Sequence, residues 1–110
     1  MGYALKTVRE DGTTRNGFKW PDSGEVVEES NIDPDNKSAC PSRSGDGVCL
    51  GKTFYGMSHG GIPAKHILSI RYRQEDVLGE DDDKLRVRQC RVLKRYTIKE
   101  WLKGNKTDLH

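Results

Sequence analysis

Alternation of apolar and charged residues in the second half of the chain is the feature that most constrains the fold. In the run from His66 to Arg73, apolar side chains alternate with arginines, which is typical of a strand with one buried face. This half of the chain opens with a strand-like run from Gly45 to Leu50 and closes with a basic strand from Lys84 to Arg95. These patterns predict a sheet.

The basic strand contains a change of parity. Leu85 and Val87 lie on one side of an extended chain, whereas Cys90 and Val92 lie on the other. A β-bulge near Gln89 would bring all four side chains to the core, because one extra residue restores the parity. The same bulge directs the basic side chains outward, namely Lys84, Arg86, Arg88 and Arg91.

The N-terminal part predicts three short strands followed by a loop. The first strand runs from Tyr3 to Arg9, and a turn at Asp11 and Gly12 joins it to residues 17–20 in a β-hairpin. Residues 25–29 form a third strand, whose flanking glutamates indicate an edge position. Residues 30–46 have two prolines and many turn formers, which predicts a long loop. Such a loop is either disordered or functional, as a lid or a partner contact.

Two short helices are predicted. Residues 53–57 would make one or two helical turns capped by Thr53. Thr97 and Glu100 have the spacing of a capping box, which starts a C-terminal helix docked by Trp101. Residues 105–110 beyond this helix are expected to fray.

Length and composition favour one small domain. Of the 110 residues, 33% are hydrophobic and 33% are charged, and the apolar residues fall in short blocks, which favours a folded domain over a disordered chain. The predicted fold is a single α+β domain over residues 1–104, with a twisted, mainly antiparallel sheet of five or six strands, one short internal helix and a short C-terminal helix. The expected core comprises Trp20, Leu50, Ile70, Leu85, Val87 and Val92.

Charge, hydropathy and cysteine content restrict the function further. The formal net charge is only +2, so bulk charge predicts neither nucleic-acid nor membrane binding. No apolar run approaches the roughly 18 residues that cross a bilayer, and the N-terminus lacks the apolar core of a signal peptide. A cytoplasmic protein with no membrane partner is therefore expected. Its three cysteines are an odd number, which favours reduced thiols over structural disulfides.

Several short motifs resemble small uncharacterised proteins encoded by actinobacterial phages and prophages. The motifs are Gly45-Asp46-Gly47-x-Cys49, Ser58-x-Gly60-Gly61, Asp76-Val77-Leu78-Gly79-Glu80 and Lys84-x-Arg86-Val87-x-x-Cys90-x-Val92. The resemblance implies a phage origin and a compact β-rich domain that acts in the host cytoplasm, but it implies no mechanism.

The residues that could carry chemistry do not define a reaction. Cys40, Cys49, His59 and His66 lack the closely spaced ligand pairs of a zinc site, so no metal or other cofactor is predicted. Cys49 or Ser58 beside a histidine could supply a nucleophile and a base, but buried cysteines and a simple turn explain the same residues. No catalytic residue is assigned.

A glycine-rich turn is the first candidate binding site. Its exposed backbone amides could hold a phosphate group between two lysines. The predicted anion-binding residues are Lys52, Ser58, His59, Gly60, Gly61 and Lys65.

A basic stripe is the second and stronger candidate. Lys84, Arg86 and Arg88 share a face, and a second strand with Arg71 and Arg73 could pair with it across an acidic loop. Such a stripe attracts an acidic protein or, more weakly without aromatic residues, a nucleic acid. The structural alternative is cross-strand pairing of these arginines with Glu25, Glu28 or Glu29.

These surfaces predict a binding protein rather than an enzyme. The favoured function is that of a phage accessory protein that binds a host macromolecule, most simply a host protein, through the basic stripe and the 30–46 loop. One alternative is a protein that binds or sequesters a phosphate-containing nucleotide or signal molecule. Another is an enzyme resembling ADP-ribosyltransferases, although no catalytic glutamate motif supports it.

Overall fold

A computed structural model of the chain describes residues 1–14, 18–21, 24–53 and 65–105. These residues form seven strands, one 3-10 helix and one α-helix. In chain order they are β1 (Gly2–Val8), β2 (Val26–Glu28), β3 (Val48–Gly51), β4 (His66–Tyr72), the 3-10 helix (Gln74–Asp76), β5 (Val77–Glu80), β6 (Lys84–Val87), β7 (Gln89–Thr97) and α1 (Ile98–Asn105).

All seven strands belong to one antiparallel sheet with the order β2-β7-β4-β1-β3-β6-β5. The single residue Arg88 connects β6 to β7, although three strands separate them in this order. A flat sheet would place those strands roughly 19 Å apart, whereas two residue steps span only about 7 Å. The sheet is therefore strongly curved.

Arg88 also links the two edge strands of the curved sheet. Its backbone carbonyl accepts a hydrogen bond from the Glu29 amide, just after β2, at 3.0 Å. Its amide donates to the Asp76 carbonyl, just before β5, at 2.8 Å. The two edges therefore approach each other at this one residue, and the sheet wraps around its concave face.

The main core lies on the concave face. The buried residues of this cluster come from six strands and from Trp20, which belongs to no strand. All six residues predicted for the core are buried, with exposed fractions between 0% and 3%. The alternation in the strands thus identified this face correctly.

The convex face carries a smaller cluster under α1. Trp101 packs there with Leu5 and Ile67. The predicted capping box is present, because the Glu100 amide donates to Thr97 Oγ1 at 3.1 Å and the Thr97 amide donates to Glu100 Oε1 at 2.9 Å. The C-terminal helix and its docking by Trp101 are therefore confirmed.

The mainly antiparallel sheet and the C-terminal helix agree with the prediction, but the strand count does not. Residues 77–80, for which no strand was predicted, form β5, which pairs with β6. The expected bulge near Gln89 is a break between two strands of different parity. The break lies at Arg88, where the chain crosses from one side of the curved sheet to the other.

The N-terminal predictions are confirmed in part. β2 is an edge strand, as its flanking glutamates indicated. The expected hairpin over residues 17–20 is reduced, among the described residues, to an isolated bridge between Thr13 and Lys19. Of the predicted helical turns at 53–57 only Thr53 is described, and of the predicted fraying tail at 105–110 only Asn105, which is the last residue of α1.

Candidate binding surface

Arg86, predicted to be exposed in the basic stripe, is fully buried. Its Nη1 lies 3.0 Å from Asp46 Oδ2, and its Nη2 donates to the Asn36 carbonyl at 2.9 Å. The side chain points away from the main core, as predicted, but residues of the 30–46 segment cover it there. Arg86 is therefore a structural residue and is removed from the stripe.

Asp46 connects the 30–46 segment to the sheet. Besides the Arg86 guanidinium, its carboxylate accepts hydrogen bonds from the Asp33 amide at 2.8 Å, from Asn36 Nδ2 at 2.7 Å and from Ser42 through its amide and hydroxyl. Burial by itself would raise the pKa of Asp46, but these hydrogen bonds outweigh it and hold the pKa well below its usual value. This segment is irregular, as predicted, but its contacts make it part of the fold.

The other residues of the predicted stripe do not come together. β4, which carries Arg71, pairs with β1 and β7 and not with β6, so Lys84 lies on a distant strand. Lys84 is half-buried, while Arg73 and Arg88 are exposed. In the described part of the chain, no ion pair joins any of these cations to Glu25, Glu28 or Glu29.

A different row of side chains crosses the convex face of β2, β7, β4 and β1. Register pairs Val26 with Arg91, Arg91 with Arg71, and Arg71 with Tyr3. Directly opposed residues of an antiparallel pair point to the same face, about 4.5–5.5 Å apart at Cβ. We call these four residues the arginine row. Tyr3 is 67% exposed and Val26 is 48% exposed, and between them Arg91 is exposed and Arg71 is half-buried, so solvent reaches the row.

The two arginines at the centre of this row lack an acidic partner among the described residues. Arg91 donates from Nη1 to the Gly24 carbonyl at 2.6 Å, which fixes its position without neutralising its charge. Like charges that face each other across a sheet are destabilising. Lys94, two residue pairs away and opposite Ser69, adds a further cation and lies 4.9 Å from the centre of the Tyr96 ring. The arrangement favours an anionic ligand or partner.

Sequence reasoning identified Arg71 but missed Tyr3 and Arg91 as its neighbours. By register Tyr3 lies on the convex face with Leu5, and it is 67% exposed. Arg91 was expected to point outward, which is also correct. Pairing of β4 with β7 rather than β6 was the missing information, and no local pattern encodes it.

Of the predicted anion-binding turn, the flanking residues Lys52 and Lys65 belong to the described part of the chain. Lys52 Nζ lies 2.9 Å from Glu80 Oε1 and donates to the Asp81 carbonyl at 2.9 Å, so its charge is already matched. Lys65 is exposed. Ser58, His59, Gly60 and Gly61 lie outside the described residues.

The three cysteines have different environments. Cys90 is buried in the main core, where burial raises the pKa of its thiol to about 12. Cys49 is half-buried on the convex face, and Cys40 is exposed in the 30–46 segment. Within the described ranges, no group of three or more histidine, cysteine or acidic side chains could hold a metal ion.

A groove of about 470 Å³ lies beside the edge strand β2, lined by Phe18, Lys19, Trp20, Pro21 and residues 25–28. Glu25 and Glu29 use their backbone groups to bond Val92 of β7 and the adjoining Arg88, so the backbone groups of Val26 and Glu28 face the outer edge. Acidic side chains at an exposed edge discourage pairing with other strands. The glutamates therefore explain how the exposed edge strand β2 avoids pairing with strands of other molecules.

Comparison with known proteins provides no further assignment, because no family model, curated protein or solved structure matches this chain. None of the helices in the described segments is long and apolar enough to cross a membrane. The arginine row is therefore the site on which a function can be proposed.

Proposed function

We propose that this protein acts without catalysis by binding an acidic protein surface through the arginine row. The observation that carries the proposal is the direct opposition of Arg71 and Arg91 without an acidic partner in the described chain. Their mutual repulsion is relieved when carboxylates of a partner lie between or beside them. The 30–46 segment, proposed from sequence as a contact element, lies on the same convex face at the other end of the sheet.

The composition of the row supports a protein partner. Tyrosine and arginine are enriched at protein interfaces, where they provide large contact areas and strong hydrogen bonds. Val26 adds an exposed apolar side chain at the edge of the row. A single-stranded nucleic acid would favour several aromatic platforms along a basic groove, whereas this row has one tyrosine.

The biological setting is part of the proposal and depends on the sequence resemblance alone. A phage accessory protein would meet its acidic partner in the cytoplasm of the bacterial host. Binding or sequestration of a phosphate-containing molecule at the glycine-rich turn, and ADP-ribosyl transfer, are the alternative functions.

The proposal is tested by affinity capture from host lysate with three immobilised proteins: the wild type, Arg71→Glu and Lys99→Glu. Lys99 is an exposed cation on α1, so its reversal makes the same change in net charge away from the row. We expect a partner that Lys99→Glu retains and Arg71→Glu loses, with an association rate that falls as salt increases. Equal capture by both variants would refute the proposal.

The class of partner is tested separately with purified probes. Fluorescence anisotropy with a labelled single-stranded oligonucleotide is expected to show no difference between wild type and Tyr3→Ala. Tight oligonucleotide binding that requires both Tyr3 and Arg71 would replace the protein partner with a nucleic acid. Mass spectrometry of molecules that co-purify with the native protein would identify a bound nucleotide.

A further inference from the structure

A chain of contacts holds Cys40 over the strand that carries Cys49. Cys49 pairs in register with Arg86, and the Arg86 guanidinium donates to the Asn36 carbonyl. Asn36 in turn donates from Nδ2 to the Cys40 carbonyl at 2.9 Å. The Cys40 sulfur lies 3.5 Å from Nζ of Lys84, which shares the convex face of β6 with Arg86, so the Cys40 thiol lies over the same face of the sheet as the neighbouring Cys49.

The backbone around Cys40 is fixed independently of this contact. Ser38 Oγ accepts a hydrogen bond from the Cys40 amide at 3.1 Å and donates to the Cys40 carbonyl at 2.8 Å. The carbonyls of residues 37 and 38 pack against Gly79 in β5, so closely that a Cβ at that glycine would clash with them. The two sulfurs are therefore brought together by the fold and not by the short sequence distance alone.

The surroundings distinguish the roles of the two thiols. Cys40 is exposed, and Lys84 Nζ lies 3.5 Å from its sulfur, which places a positive charge where a thiolate would form. Cys49 is half-buried, and burial is the largest effect that raises the pKa of its thiol. Cys40 is thus accessible to a reagent from solution, while Cys49 is shielded and adjacent.

We propose that Cys40 and Cys49 form a reversible dithiol–disulfide pair that exchanges with low-molecular-weight disulfides such as glutathione disulfide. This is a modification site separate from the arginine row and independent of the proposed function. It refines the expectation of reduced thiols, which treated all three cysteines alike.

The reaction consists of two exchange steps. The Cys40 thiolate attacks one sulfur of glutathione disulfide, whose S–S bond breaks and releases one glutathione thiolate. The Cys49 thiolate then attacks the Cys40 sulfur of this mixed disulfide and releases the second glutathione. The protein loses two electrons and the two thiol protons, and glutathione disulfide takes them up as two molecules of reduced glutathione.

The bond would link the 30–46 segment covalently to β3. In the reduced protein this segment is held by the hydrogen bonds of Asp46 and Asn36, and the disulfide would add a second attachment close to them. Oxidation is therefore expected to raise the melting temperature and to slow proteolysis within the segment.

The test uses the wild-type protein in defined mixtures of oxidised and reduced glutathione, followed by acid quenching, alkylation and peptide mapping. Trypsin cleaves after Lys37, Arg43 and Lys52, so Cys40 and Cys49 fall in separate peptides, 38–43 and 44–52. We expect these two peptides to be joined until they are reduced. Cys90 lies in a third peptide, 89–91, and is expected to be found alkylated after unfolding.

Matched variants separate this pair from random oxidation. Cys90→Ala is expected to form the same linked peptides as the wild type, whereas Cys49→Ser should lose them and accumulate a glutathione adduct on Cys40. The native protein should be half-oxidised at a lower ratio of oxidised to reduced glutathione than the protein unfolded in urea, by a factor of at least about ten. The reason is that the fold raises the effective concentration of the second thiol.

Three results would overturn the proposal. They are a stable glutathione adduct on Cys40 of the wild type, a disulfide between two copies of the chain, and equal oxidation of the native and unfolded proteins. Each would show that the fold does not present the two thiols to each other.

Discussion

The guanidinium of Arg86 lies 3.0 Å from the carboxylate of Asp46, and both side chains are removed from solvent. This pair joins the curved sheet to the 30–46 segment, since Asp46 also accepts hydrogen bonds from Asp33, Asn36 and Ser42. A buried ion pair compensates for its desolvation only when further hydrogen bonds satisfy it. Here they satisfy the Asp46 carboxylate and Nη2 of Arg86, whereas Nε of Arg86 is buried without a hydrogen-bond partner among the described residues. A buried polar centre thus attaches the segment to the sheet.

Removing one partner of this pair should destabilise the fold strongly. Asp46→Ala leaves the Arg86 charge buried and unmatched, so we expect the free energy of unfolding to fall by about 3–5 kcal/mol. Urea unfolding measures this change. Asp35→Ala, an exposed substitution in the same segment, should change stability by less than about 0.5 kcal/mol. Similar decreases in the free energy of unfolding of the two variants would show that the buried ion pair contributes no more stability than an exposed side chain.

Stability should also fall in acid in a way that depends on Asp46. Because the folded pKa of Asp46 lies below its ordinary value of 3.8, the carboxylate stabilises the fold fully above that value and progressively less below it. The urea midpoint of the wild type is therefore expected to drop between about pH 5 and pH 2. In Asp46→Asn this part of the pH dependence should be absent. If the urea midpoint of the variant falls as steeply with pH as that of the wild type, other carboxylates cause the decrease.

The concave core should show the usual cost of a cavity. Leu85 is 1% exposed within the main cluster, so Leu85→Ala is expected to destabilise by about 2–5 kcal/mol. Tyr3→Ala, at an exposed position on the opposite face, is the matched truncation and should have little effect. Thermal or urea unfolding of both variants provides the comparison, and equal melting of Leu85→Ala and wild type would contradict the position of the core.

The strand patterns predicted the core because the alternation of neighbouring residues is enough to show which side chains of a strand face it. Alternation places Leu85 and Val87 on one face and Arg86 on the other, and the structure agrees with both statements. What the pattern could not show is that residues distant in sequence cover the second face. An arginine opposite a core residue is normally solvated, and only the register with Cys49 and the position of Asp46 reveal that this one is buried.

The break after β6 illustrates the same limit. The parity change between Val87 and Cys90 indicated correctly that the chain departs from a regular strand there. A bulge and a strand break have the same local signature, and the choice between them depends on which partners each half finds. β6 pairs with β3 and β5, whereas β7 pairs with β2 and β4, and these pairings placed Arg71 beside Arg91 instead of Lys84.

The last prediction separates stability from binding at the arginine row. Arg71 faces Arg91 directly, so Arg71→Glu replaces a repulsive cross-strand pair with an attractive one. We expect the variant to be more stable than the wild type by about 0.2–1 kcal/mol, with the gain shrinking as salt is added. The same variant should lose the acidic partner, which would mean that the wild type retains an unfavourable pair for the sake of binding.

Melting temperatures of wild type, Arg71→Glu and Arg71→Gln across a salt series measure the effect, and Arg71→Gln should lie between the other two. A variant less stable than the wild type at low salt would show that Arg71 serves the sheet, and the opposition of the two arginines would then no longer indicate an anionic partner.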